Sequence, residues 1–288
     1  MRTILSIGVD AVSYGMVLFM ISIGLSIMMG LMRVVNLAHG AFAMIGGYLA
    51  SYALKTTGIP YAVAILIAVA GTIVISIPFE ILLYRRIYRK SDALTQLLLT
   101  IGITFFIIGI VNFIFGPTLK SIPLPPMLSG PLDIGFRMVP THRMFVIACG
   151  AVTALALWLL LERTEFGVRL RAAVDNGDMA EALGIRTEVI YFATFALAVG
   201  LGAFGGVVGA ELLPIEPFYA LRYMVTFLVV VSVGGAGSIT GALSASLLLG
   251  LADTTGKYLA PEFGEFFFYL AVIVIVFLFP HGLFGRAH

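Results

Sequence analysis

Apolar runs about as long as a membrane-crossing helix recur along the whole of this 288-residue chain. That recurrence restricts the fold more than any single motif does. A helix needs about 20 residues to cross ~30 Å of hydrocarbon, and runs of that order lie at roughly 11 to 32, 37 to 54, 60 to 83, 94 to 115, 142 to 161, 189 to 213, 222 to 252 and 264 to 280. With 60% hydrophobic and only 11% charged residues, too little polar surface is left to cover a soluble globule of this size. A soluble domain with one anchor would not repeat such runs, and the alternating strands of a barrel are absent. The chain therefore reads as an all-α, polytopic integral membrane protein of about eight spans, forming one transmembrane domain over residues 1–288. The net charge of +2 comes without a basic tract, which argues against nucleic acid as a partner. Cys149 lies alone in a span and is expected to serve packing. Behind Arg2 no small-x-small cleavage site interrupts the first apolar run, which is expected to persist as a span.

Two places break the apolar pattern at membrane depth. The first is Asn36-Leu37-Ala38-His39-Gly40 with Gly46-Gly47-Tyr48. A polar pair in hydrocarbon is costly unless a neighbour or a water-filled path satisfies it, and small residues allow close approach of a helix or a solute. Asn36 and His39 therefore either bond between helices or line a route. The second is Gly234-Gly235-Ala236-Gly237-Ser238, inside a run too long for one plain crossing. A glycine cluster should split it into a broken or re-entrant element, tolerated only where the freed backbone is buried in protein or lines a cavity. The small-residue runs at 36 to 50 and 234 to 250 look alike, which leaves an internal repeat open.

Positive charge orients the chain. Arg85, Arg86, Arg89 and Lys90 crowd one short loop, whereas Lys120 and Arg137 are spread over the longer loop 116 to 141. The short loop is expected to be cytoplasmic, together with Arg163, Arg169, Arg171, Arg186 and Arg286. Three full spans before it would leave the N-terminus outside. The proline-rich external loop, with Pro117, Pro123, Pro125, Pro126, Pro131 and Pro140, should run extended as a connector or a cover. Tyr84, Tyr88, Tyr219 and Tyr223 near span ends suit interfacial anchoring. Glu80 is expected as a solvated or paired anchor beside Arg85 and Arg86.

Residues 163 to 188 are the one long hydrophilic stretch on the expected cytoplasmic side. Within it Asp178 suits an N-cap, Glu181 the reciprocal capping position and Gly184 the left-handed stop. Met179, Ala182 and Leu183 share a face, and so short a helix needs something packed on it: a partner or the chain itself. Glu211, Glu216 and Arg222 cluster at an outer end. They suit contact with an external partner or a solute, or simple snorkelling.

Enzymatic readings fail on spacing. Gly256-Lys257 is followed by Tyr258, so no phosphate-binding loop exists. His39, His142, His281 and His288 are too scattered for a metal set, and no serine sits in a nucleophile turn.

Taken in order, Asn36-Leu37-Ala38-His39-Gly40 with Gly46-Gly47-Tyr48, Arg171-Ala172-Ala173 through Ala182-Leu183-Gly184-Ile185, Thr194-Phe195-Ala196-Leu197, Gly234-Gly235-Ala236-Gly237-Ser238 with Gly241-Ala242, and His281-Gly282-Leu283-Phe284-Gly285 resemble the permease subunits of branched-chain amino-acid ABC importers, the smaller of the two types. The resemblance implies a pore-forming subunit of the bacterial cytoplasmic (inner) membrane, paired with a second permease, two cytoplasmic ATPases and an external solute-binding protein. ATP and Mg would bind the partners; no cofactor is implied on this chain. Asn36, His39, Gly40, Gly234 and Gly235 would border the translocation route. Arg171, Asp178, Glu181, Leu183, Gly184 and Ile185 would belong to the loop that docks an ATPase. Solutes of such importers extend from branched-chain amino acids to urea, amides and organic acids. A stand-alone channel would share the route but not need the loop helix, and a membrane scaffold would need neither.

Overall fold

The computed structural model describes residues 2–87, 92–133, 138–279 and 282–284. Arg89, Lys90, Tyr88, Arg137, Pro280, His281, Arg286 and His288 lie outside the described residues. The architecture is helical: α1 (Arg2–Leu31), α2 (His39–Thr57), α3 (Tyr61–Phe79), α4 (Ala93–Phe115), α5 (Thr141–Arg163), the short α6 (Glu165–Asp175) and α7 (Gly177–Ala182), then α8 (Thr187–Val208), α9 (Tyr219–Gly234), α10 (Ile239–Leu259) and α11 (Gly264–Leu278). Among the described residues, five helical stretches are long and apolar enough to cross a membrane: Leu5–Leu31, Tyr61–Tyr84, Ala93–Phe115, Thr141–Arg163 and Thr187–Val208. Tyr219–Gly234 and Phe266–Leu278 are shorter apolar helices. α2 and α10 are long but rich in glycine, alanine and serine.

α1 is the axis of the bundle. Its residues Val17 to Ile21 are completely buried, and it packs chiefly on α10 and α8, with α5 and α9 alongside. A helix apolar on all sides is buried on all sides. Peripheral α4 behaves differently: Gln96, Thr100, Ile103, Thr104, Ile107 and Val111 form a buried stripe, while Leu98, Phe106 and Phe113 are bare. Those bare residues are the lipid-facing side of a membrane helix.

Two contact sets fix which ends share a face. Near the start of α1, Asp10 is ion-paired with Arg143 at the start of α5 and accepts from Tyr258 Oη near the end of α10 at 2.7 Å. At the other end, Met32 and Arg33 line a cavity of 260 Å³ with Ala173, Gly177, Asp178 and Tyr191. The N-terminus and the loop 116–141 thus lie on one face, and the loop 163–188 on the other, as three crossings before the basic loop require. Arg85 joins the latter face through Glu188 at 3.4 Å.

The proline-rich loop is more ordered than an extended connector. It holds a turn at Pro126–Ser129 and a hairpin of β1 (Pro131–Asp133) and β2 (Met138–Pro140). Lys120 N donates to Ile215 O at 2.9 Å and Ser51 Oγ to Ser121 O at 3.0 Å, so the loop is stitched to the α8–α9 connection and to α2. The span expected at 189 to 213 also ends early, at Val208, because residues 209–218 turn back as a loop.

Candidate functional site

The first break, residues 32–38, turns back into the bundle after α1 instead of leaving it. Val34 N donates to Met28 O at 3.1 Å, and Val34 is fully buried. Val35 N donates to Gln96 Oε1 at 3.0 Å. Asn36 is the knot of this segment: its Oδ1 accepts from Ala38 N at 3.0 Å and from Tyr84 Oη at 2.5 Å, and its Nδ2 donates to Met28 Sδ at 3.2 Å. His39 Nε2 donates to Ile21 O at 2.8 Å. Gly24 and Gly202 make the slot for the imidazole, since a Cβ on either would come within 2.6 Å or 3.0 Å of its Cε1. Asn36 and His39 are 0% and 1% exposed, so in this chain the pair is satisfied by helix-to-helix packing. The next small residues pack in the same way: Gly40 faces Ala220, and Gly46 faces Ala203.

Tyr84 reaches Asn36 because α3 ends in a π-turn, Glu80–Tyr84. Pro78 lacks the N–H that would continue the ladder, and a slipped turn follows. Tyr84 is therefore a completely buried strut, not the expected interfacial anchor. Glu80 is buried and ion-paired with Arg85 at 3.7 Å, the paired alternative of the two. Tyr219 is corrected as well: it is 0% exposed and stacks on Tyr223 at 4.8 Å.

The second break falls where the glycine cluster predicts it. α9 ends at Gly234, Gly235 and Gly237 take φ of 91° and 83°, and Ser238 caps α10 by accepting from Gly241 N at 3.0 Å. The freed backbone is buried in protein: Gly237 N donates to Ser26 O at 3.1 Å and to Ser26 Oγ at 3.0 Å. Leu283 N, in the C-terminal turn, donates to Val233 O at 2.7 Å. The two small-residue runs share a local plan, each opening a helix directly after a break, but they pack on different neighbours, α2 on α8 and α10 on α1.

In the loop 163–188 the helix α7 exists, but its N-cap is Asn176, whose Oδ1 accepts from Met179 N at 3.1 Å. Asp178 falls in the first turn instead, where a carboxylate meets the positive end of the helix. Glu181 does not cap; it accepts a short hydrogen bond from Thr187 Oγ1. Gly184 does stop the helix, at φ 85°, with Gly184 N donating to Glu181 O and Ile185 N to Ala180 O, both 2.9 Å. That pair of bonds is a Schellman motif. Arg171 Nη1 donates to Leu161 O at 2.8 Å and braces the loop on α5. Only Ala180 of α7 is buried, whereas Met179 is 58% and Leu183 76% exposed.

The expected outer cluster of three charges is two pairs. Glu211 lies 3.1 Å from His142 of α5, and Arg222 lies 2.8 Å from Glu216.

Sequence reasoning missed Gln96, Tyr84, Ser26, Gly24 and Gly202. Gln96 and Thr100, polar at one-turn spacing in an apolar run, carried a readable signal of an inward face; the glycines of α1 and α8 carried none without their partner.

The family described as branched-chain amino acid transport system / permease component matches residues 8–277. The high-affinity branched-chain amino acid transport system permease protein LivH of Escherichia coli (strain K12) is 27% identical, over 96% of this chain and 94% of that protein. The corresponding permease protein BraD of Pseudomonas aeruginosa is also 27% identical, with the same coverage. A probable branched-chain amino acid transport permease protein LivH of Methanocaldococcus jannaschii is 29% identical, over 96% of this chain and 90% of its own length. No solved structure matches significantly. With a multi-pass helical bundle, two buried backbone breaks and a family match over nearly its whole length, this chain belongs to the branched-chain amino acid transport system permease components.

Proposed function

We propose that this chain is the membrane-spanning subunit of an ATP-driven importer of the bacterial inner membrane, and that it carries branched-chain amino acids or chemically related small polar solutes. It pairs with a second permease, receives solute from an external binding protein and docks a cytoplasmic ATPase through residues 163–188. The observation that carries the docking is the bare apolar patch on α7. Met179 and Leu183 are 58% and 76% exposed on a helix of six residues, too short to persist alone, yet held firmly by Asn176 at one end and Gly184 at the other. A rigid, capped helix with an uncovered apolar tip suits a groove on another protein. Arg171, Asp178, Glu181 and Ile185 support that helix, while ATP and Mg bind the partner.

The cavity between Arg33 and Asp178 puts the docking loop against the hinge at 32–38, whose other end holds Asn36 and His39. Movement of the loop therefore reaches the two polar residues, Gly40 and the interior of the bundle by a direct backbone path. Beside Gly234 and Gly235 the second break meets α1 on the same half of the molecule. These two breaks are the elements we assign to the walls of the route in its inward- and outward-facing forms, which the ATPases' nucleotide state would bias.

A pull-down with this chain as bait tests the assignment. Recovery of a second permease and an ATPase by the native chain, with the ATPase lost from Leu183→Asp, supports it. Recovery of this chain alone from both baits overturns it in favour of a channel.

A further inference from the structure

One ion pair sits where a membrane protein has least reason to keep one. Arg222 is in the second turn of α9, about twelve residues, or ~18 Å at ~1.5 Å per residue, from Gly234. Gly234 marks the inner end, since the break that follows it lies against Gly30, near the end of α1. A second ruler agrees. Ala220, two residues before Arg222, packs on Gly40, beside His39, whose ring is bonded to Ile21 in the middle of the span Leu5–Leu31. Arg222 and Glu216 are therefore near mid-depth of the hydrocarbon layer and not at its outer boundary.

At that depth the pair is open. The Arg222 side chain is 60% exposed and that of Glu216 26%, and Phe218 and Val225 on the same face of the segment are 54% and 46% exposed. Ser232 and Ala236 continue the bare stripe toward the inner end. Lipid cannot cover an arginine and a glutamate at mid-depth without great cost, so ionisable groups there face water or a polar cargo. The other buried charges of the chain differ: Asp10, paired with Arg143, is only 10% exposed and closed off by Tyr258.

Resting on the permease reading above, we infer that Glu216 and Arg222 form the station at mid-depth that recognises a zwitterionic solute, the guanidinium taking its carboxylate and the carboxylate its ammonium. Several features suit that occupant. A planar guanidinium matches a carboxylate bidentately, and the two protein charges are side by side at 2.8 Å, so a zwitterion inserted against them completes a square of alternating sign. An exposed pair loses little by opening to a solute. The Arg222 guanidinium also stands 5.6 Å from the ring centre of Tyr223, which stacks on Tyr219 and so holds it in place. Phe218 offers an apolar surface for an aliphatic side chain. Urea or a simple amide would use neither charge, and an organic acid only one. The station therefore selects amino acids within the solute range of the permease reading.

Equilibrium binding of radiolabelled leucine to the assembled transporter in nanodiscs, without the solute-binding protein, tests this alongside ATP-driven leucine uptake. 4-Methylpentanoate, which lacks the ammonium, and 3-methylbutylamine, which lacks the carboxylate, serve as competitors. The native complex is expected to bind leucine saturably and to prefer it at least tenfold over either competitor. Glu216→Gln should abolish the preference over 4-methylpentanoate alone, and Arg222→Gln the preference over 3-methylbutylamine alone. Glu216→Asp and Arg222→Lys should keep part of each. Arg143→Gln, a loss of charge elsewhere, should lower stability without changing the preferences. Retention of native leucine affinity, preferences and uptake within twofold in both neutral variants overturns the station, as does a native complex that transports but binds no leucine. Failure of the native chain to assemble or transport overturns the permease reading, and the station with it.

Discussion

Replacing Gly30 by alanine puts a methyl group 2.0 Å from Gly237 N and 2.2 Å from Gly237 Cα. Both atoms are backbone, so no rotamer change relieves the overlap. Restoring ordinary contact requires α1 and the break at 235–238 to part by more than ~1 Å, which costs about 1–3 kcal/mol as overpacking. The same parting stretches the bonds from Gly237 N to Ser26 O and Oγ, now 3.1 and 3.0 Å. An orphaned buried N–H adds ~1–3 kcal/mol. The sum, about 2–5 kcal/mol, corresponds to a fall in Tm of roughly 5–15 °C at ~2–4 °C per kcal/mol. Thermal unfolding of the purified protein in mild detergent, followed by exposure of the half-buried Cys149 to a thiol-reactive dye, measures it. Gly102→Ala is the control. It lies in α4 with nothing within 4 Å of the new Cβ, and it should stabilise by ~1 kcal/mol through helix propensity alone. A Gly30→Ala protein melting within a degree of the native one, or no better than equal behaviour of the two variants, would refute the docking of the break on α1.

Two further substitutions separate local from tertiary causes. Tyr84→Phe removes the 2.5 Å bond to Asn36 Oδ1, which keeps only Ala38 N; a loss of about 1–2 kcal/mol is expected by the same melting assay, with Asn36→Leu costing more because Tyr84 Oη and Ala38 N then both lose their acceptor. Gly184→Asn should be tolerated and Gly184→Val should not, since φ is 85° with open space around the Cβ; the expected gap is ~1–2 kcal/mol, and equal co-purification of the ATPase with both variants would count against a conformational role for this stop.

The chain's own pattern reaches as far as interactions between near neighbours reach. Apolar runs of membrane length, the break at Gly234 to Ser238 and the left-handed stop at Gly184 are each set within a few residues, because hydrophobic burial in lipid, backbone φ and the capping of helix ends are local demands. Even there the competition was close: Asn176 outdid Asp178 as the N-cap, as both side chains suit the position and only the path of the loop from α6 selects between them. What tertiary structure decided was the meaning of polar and small residues. Asn36 meets Tyr84, 48 positions away, and Gly237 meets Ser26, 211 positions away. The glycines of α1, α2 and α8 became slots and close contacts, and Glu211 took His142 as its partner, apart from Arg222. A polar group in hydrocarbon must find a partner, but its identity depends on which helices lie side by side. That arrangement is set by packing over the whole bundle, and no stretch of sequence contains it.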